Sequence, residues 1–197
     1  MNYQDKTREM IQSDQWMMDC LNAAADLQLE DWYIGAGFVR NKIWDVMHGY
    51  DTRTPLNDVD VVYFDKSHYR KSSDKDSDKA TDLALEQKLL AVMPGINWSV
   101  INLAYIHLRY DQQQFEDSTH AISYWPELPT CIGVRLEDDG QTLSFTEPWG
   151  IENNFSLEVK PNLNVGLSPE VYAKRIADKQ WDQVWPQLQI STGVKSK

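Results

Sequence analysis

Two carboxylates open an otherwise apolar run in "PLNDVDVVYF", residues 55–64. Val61, Val62, Tyr63 and Phe64 read as a strand entering a core, because β-branched and aromatic side chains suit a pleated, buried surface. Residues two apart on a strand point to one side, so Asp58 and Asp60 project together, with Val59 and Val61 opposed. Like charges at that spacing repel, and protonation, solvent or a divalent cation relieves them. Hard oxygen ligands suit Mg²⁺ or Mn²⁺, with other positions left to water and phosphate oxygens. A solvated turn at Asn57-Asp58, with Asp60 capping the strand start, accounts for the same residues without a metal.

A second stretch sharpens the first. "WYIGAGFVRN", residues 32–41, reads as a strand, a Gly35-Ala36-Gly37 turn and a helix. Glycine lets a backbone approach a ligand closely, and a helix start offers free N–H groups and a positive dipole end. That outlines a phosphate site, to which Arg40 in the first turn adds a charge-assisted contact. A tight turn that merely needs glycine, followed by an exposed arginine, is the plainer account. A Gly-rich turn followed about 20 residues later by acids also suits a dinucleotide-binding fold. Here Arg40 replaces the third glycine, and the acids begin the second strand instead of ending it. Both departures count against that reading.

The rest of the chain supplies helices and strands in mixture, which gives an α/β or α+β class with a mainly mixed sheet. Residues 6–27 read as one amphipathic helix with Met10, Met17, Met18 and Leu21 on its core face. Further helices are expected over 38–48, 81–94 (stopped by Pro94), 118–128 and 169–185, the last capped by Ser168 with Pro169 in its first turn. A helix over 103–110 follows the strand at 97–102, and 66–79 form a long polar loop. Strands are expected at 59–65, 97–102 and 155–162, and Asp139-Gly140 turns a hairpin over 131–148. Trp181 and Trp185, four apart, read as core. One domain over 1–190 with a loose tail over 191–197 follows.

A net charge of −11 disfavours general nucleic-acid binding, since a phosphate backbone would be repelled. It leaves room for an anionic substrate where a local cation reverses the potential. The basic cluster Lys66, Arg70, Lys71 and Lys75 reads as a solvated loop. No run approaches membrane-spanning length, and the first residues lack a secretory pattern. Cys20 and Cys131 belong to no CxxC pair and read as reduced thiols, so a cytoplasmic setting is expected. His48, His68, His107 and His120 show no metal spacing, and His107 reads as structural.

Together, "IGAGFVRN", a helix and "NDVDVVYF" resemble the nucleotidyltransferase fold of the DNA polymerase β superfamily. The likeness is closer to a bacterial family of small nucleotidyltransferases, carried by residues 31–41, 54–65, Trp98–Asn102 with His107, Pro148–Gly150 and Val159–Asn162. The resemblance implies a central mixed sheet flanked by helices, Gly35 and Gly37 facing a triphosphate, and Asp58 and Asp60 binding metal. It implies transfer of a nucleoside monophosphate from an NTP to an unknown hydroxyl acceptor, a small molecule, with loss of pyrophosphate. Such enzymes add a third carboxylate from a neighbouring strand. Here "NWSVIN" offers Asn102, a weak metal ligand without charge, while Glu147 and Glu152 lie in other segments. The alternative is therefore a catalytically inactive protein of the same fold that binds nucleotide or metal, with a dinucleotide-binding protein behind it.

Overall fold

The computed structural model describes residues 2–67, 75–107 and 114–191, and for 75–78 the backbone alone. Its N-terminal helical stretch is two helices. Asn2 caps α1 (Tyr3–Gln12) by accepting from the Asp5 N–H. Asp14 then accepts from the Met17 N–H and starts α2 (Gln15–Ala25), so the single helix expected over 6–27 breaks at a side-chain cap inside it. Ile11, Met17, Cys20 and Leu21 are buried, which places the apolar stripe in the core as its spacing indicates.

β1 (Tyr33–Gly35) leads through Ala36 into α3 (Gly37–Met47). β2 (Val59–Tyr63), α4 (Lys75–Val92) and β3 (Trp98–Asn102) follow. A 3-10 turn, Leu103–Tyr105, stands where the helix over 103–110 is expected, and the end of that stretch lies outside the described residues. α4 begins at Lys75, inside the expected 66–79 loop, whose remainder from 68 to 74 also lies outside them, with His68, Arg70 and Lys71. α5 (Ser118–Ile122) precedes β4 (Gly133–Leu136) and β5 (Leu143–Thr146). The hairpin forms with a connection over 137–142. There the Asp139 carboxylate accepts the Gln141 and Thr142 N–H groups, and Gly140 takes φ +67°.

These strands make one five-stranded sheet in the order β3-β2-β1-β4-β5. β2 and β3 are parallel, joined across α4, and every other pair is antiparallel. Because β1 and β2 run antiparallel, the parallel strand pair of a dinucleotide-binding βαβ unit is absent at the glycine turn. The larger core packs on one face, where Ile34, Val59, Val61, Val100 and Val134 meet α1 to α4. A smaller cluster with Val62, Ile122 and Cys131 covers the other face, together with Tyr33, Ile101 and Trp125. Both cysteines are free and buried.

The C-terminal part forms a third apolar cluster. The strand expected over 155–162 shrinks to β6 (Glu158–Val159), because α6 (Glu152–Phe155) occupies its start. β6 pairs in parallel with β7 (Gln189–Ile190). α7 (Pro169–Lys179) is capped by Ser168 as expected, but Gln180 at φ 50° ends it, and α8 (Trp181–Val184) restarts. Trp181 and Trp185 pack edge-on against Trp44 of α3, with ring centroids 5.5 and 5.1 Å away. The carboxylate of buried Asp45, one residue on, accepts from Trp185 Nε1 at 2.8 Å and from the Thr54 N–H. The C-terminal cluster thus anchors the loop that leads to Asp58.

Candidate functional site

Asp58 ends that loop and Asp60 is the second residue of β2. The strand register pairs Asp60 with Ser99 of β3. On the other side Ile34 pairs with Val61, and one residue further along the same register Gly35 stands across from Asp60. Gly35 in turn pairs with Gly133. Ser99, Asp60, Gly35 and Gly133 therefore form one row on one face of the sheet, beside the glycine turn. A Cβ on Gly35 would lie 2.5 Å from the Trp125 ring, so the absent side chain lets Trp125 close over the strand.

The row sets the charge of Asp60. Burial pushes its carboxyl up to about 6, and the neighbouring Asp58 adds to the rise. A hydrogen bond from the Ser99 hydroxyl and the fields of Arg40 and Lys179 offset part of it. Asp58 itself is exposed. Asn97 fixes the backbone on both sides of Asp58: its Nδ2 donates to the Asn57 carbonyl at 2.8 Å, and its own carbonyl accepts the Val59 N–H at 2.9 Å.

The turn opposite is held just as firmly. Ala36 sits at φ 51°, ψ −119°, a conformation that strains a residue with a Cβ, and its N–H donates to the Ile132 carbonyl at 2.9 Å. No side chain caps α3, so its leading N–H groups have no side-chain acceptor. Arg40 is almost wholly buried beneath this turn. Its Nη1 donates to Thr130 Oγ1 at 2.9 Å and its Nη2 to Asn41 Oδ1 at 2.8 Å. The guanidinium lies 5.0 Å from the Trp44 ring and 4.4 Å from that of Trp181. Burial pulls its pKa down to about 10, and the field of buried Glu127, itself paired with Arg175, works against the fall.

Asn102 is placed elsewhere. In the parallel register it pairs with Tyr63, on the face opposite Asp60. Its Oδ1 accepts the Asp65 and Ala104 N–H groups and its Nδ2 donates to the Asp65 carbonyl, so its amide closes a strand end. On the face of Asp60, β3 presents Ser99 and Ile101. Glu147 follows β5, three strand spacings (~14 Å) from β2, and pairs with Gln4. Among the described residues no cluster of three His, Cys, Asp or Glu side chains is placed to hold a metal ion. Reading the sequence missed Ser99, Asn97 and Lys179. The parallel register brings in the first two, and only the fold brings α7 near Asp60.

A mixed sheet with a glycine turn feeding a helix, and two neighbouring aspartates where the adjoining strand begins, defines a nucleotidyltransferase-like fold. A solved NMR structure that reveals a CCA-adding enzyme head domain is similar at 28% identity and a TM-score of 0.79, covering 96% of each chain. A nucleotidyltransferase family model matches residues 22–190, and the chain belongs to that family. Among curated proteins none matches significantly. No helix among the described residues is long and apolar enough to cross a membrane.

Proposed function

We propose that the protein transfers a nucleoside monophosphate from an NTP to a hydroxyl of a small acceptor, with Asp58 and Asp60 holding Mg²⁺ or Mn²⁺. The observation that carries this reading is Asp60: a carboxyl buried in the row beside Gly35 and next to a second carboxylate, so that its charged form is disfavoured until a cation arrives. Two neighbouring carboxylates suit a hard cation whose remaining positions go to water and phosphate. When bound, the metal supplies charge neutralisation for the triphosphate and a more acidic acceptor hydroxyl. Gly37 and the open start of α3 give the triphosphate backbone N–H donors, and Arg40 acts as a fixed positive charge behind that turn. The acceptor oxygen bonds to the α-phosphorus, the bond to the bridging oxygen breaks, pyrophosphate leaves, and the hydroxyl proton passes to water.

Ser99 and Ile101, standing where a third carboxylate would serve, favour a second reading: a protein that binds metal and nucleotide without turnover. Incubation with each labelled NTP, Mg²⁺ and an acceptor panel separates the two. Pyrophosphate release that Asp58→Asn/Asp60→Asn abolishes supports transfer. Binding without release across the panel supports the second reading, and release indifferent to the double change contradicts the metal assignment.

A further inference from the structure

Beside Asp58, a cleft of about 260 Å³ opens between α2, the 53–58 loop and the approach to β3. Asp58 lines it, with Trp16, Arg53, Leu56, Ile96 and Asn97. Leu56 stands between cleft and turn, its Cδ2 3.3 Å from where a Cβ on Gly37 would lie. The cleft has a built cationic corner. The Arg53 guanidinium lies 3.8 Å from the centroid of the Trp16 ring, and Trp16 leans on Phe38 at 5.8 Å. Arg53 Nη2 donates to one oxygen of Asp14 at 2.6 Å, and Lys42 Nζ donates to the other at 3.0 Å. Two cations share this one carboxylate, so the Arg53–Lys42–Asp14 group carries one net positive charge; Asp58, the other acid lining the cleft, is the one assigned to the metal. Leu56 and Ile96 give an apolar wall, and Asn97, with Nδ2 committed to Asn57, keeps its amide oxygen as an acceptor.

A triphosphate on the Gly35–Gly37 side leaves this cleft for whatever meets it at Asp58. We propose that the cleft is the acceptor subsite and that the acceptor is a small hydroxyl compound carrying one anionic group, a carboxylate or phosphate, bound by Arg53. This rests on the nucleotidyl-transfer reading above. Pockets for drug-sized ligands hold ~300–1,000 Å³, so this one suits a smaller molecule. One net positive charge on a chain of net charge −11 does not track a polynucleotide backbone.

The Trp16 indole reports the cleft directly. Its NMR signal is assigned with Trp16→Phe, and the wild type is titrated with glycerate and glycerol phosphate, with glycerol and ethanolamine as neutral and cationic counterparts, and with a short RNA ending in a free 3′ hydroxyl. The hydroxylated anions are expected to shift the Trp16 and Asn97 signals saturably at millimolar concentration, and the counterparts to leave them in place. Arg53→Gln, which leaves Asp14 paired with Lys42, weakens the response at least tenfold, and Arg53→Lys restores it to within a few fold. Silence to every anion up to 50 mM, equal shifts from glycerol, or a response to the RNA alone overturns the proposal. The titration needs neither metal nor NTP, so Asp58→Asn/Asp60→Asn keeps or strengthens it. If that double variant also binds Mg²⁺ and ATP as the wild type does, the metal reading has failed while the anion cleft stands.

Discussion

Replacing Asp60 by asparagine should stabilise the metal-free protein. The side chain keeps its shape and its place beside Ser99 and loses the charge that burial and Asp58 oppose. The carboxyl titrates at about 6 in the folded chain against an ordinary 3.8. Each tenfold change in proton affinity is ~1.4 kcal/mol, so above pH 7 the charged carboxylate costs the fold about 3 kcal/mol. That cost fades as pH falls below 6 and is gone below the ordinary value, where folded and unfolded chains both carry the proton. At ~2–4 °C per kcal/mol for a chain of this size, Asp60→Asn should raise the midpoint by about 6 °C or more at pH 7.5. Calorimetry or urea unfolding in EDTA, at pH 7.5 and pH 4.5, checks both magnitude and pH dependence. A variant no more stable than the wild type at pH 7.5, or one with the same advantage at pH 4.5, would refute the reasoning. Added Mg²⁺ should narrow the gap by stabilising only the wild type.

Two further expectations come from the parts that hold the site. Ala36→Gly relieves a positive φ and should gain about 0.5–1 kcal/mol, whereas Ala36→Val, with a branched side chain at the same dihedrals, should lose more than that; urea unfolding measures both. Asn97→Ala frees the Asn57 carbonyl beside Asp58 and should cost about 1 kcal/mol of stability but at least tenfold in Mg²⁺ affinity, read by calorimetric titration.

How much of this was legible beforehand depended on range. The spacing of Asp58 and Asp60 and the glycine turn are local; the structure puts Asp60 and Gly35 on adjoining strands in one row, while Asp58 stays in the loop just before β2. The caps at Ser168 and the hairpin at Asp139-Gly140 are local as well. Asp14 and Gln180 broke two helices that periodicity drew as continuous, because a side-chain cap or one left-handed residue outweighs a well-placed apolar stripe. Arg40 was read as an exposed or phosphate-facing residue of a first turn. Its burial between Trp44 and Trp181 depends on a contact more than 130 residues away in sequence. Asn102 looked like a candidate ligand because sequence distance does not reveal which face of a parallel neighbour meets Asp60; the register gives that place to Ser99.

The proposed nucleotidyl transfer turns on Asp58 and Asp60 holding a divalent cation against nucleotide phosphates. Electron paramagnetic resonance of Mn²⁺ with ATP tests it most directly, comparing the wild type with Asp58→Asn/Asp60→Asn. The wild type should show a protein-bound Mn²⁺ signal, and a double variant that remains folded should lose at least tenfold in affinity. Equal Mn²⁺ affinity in the two proteins would contradict it.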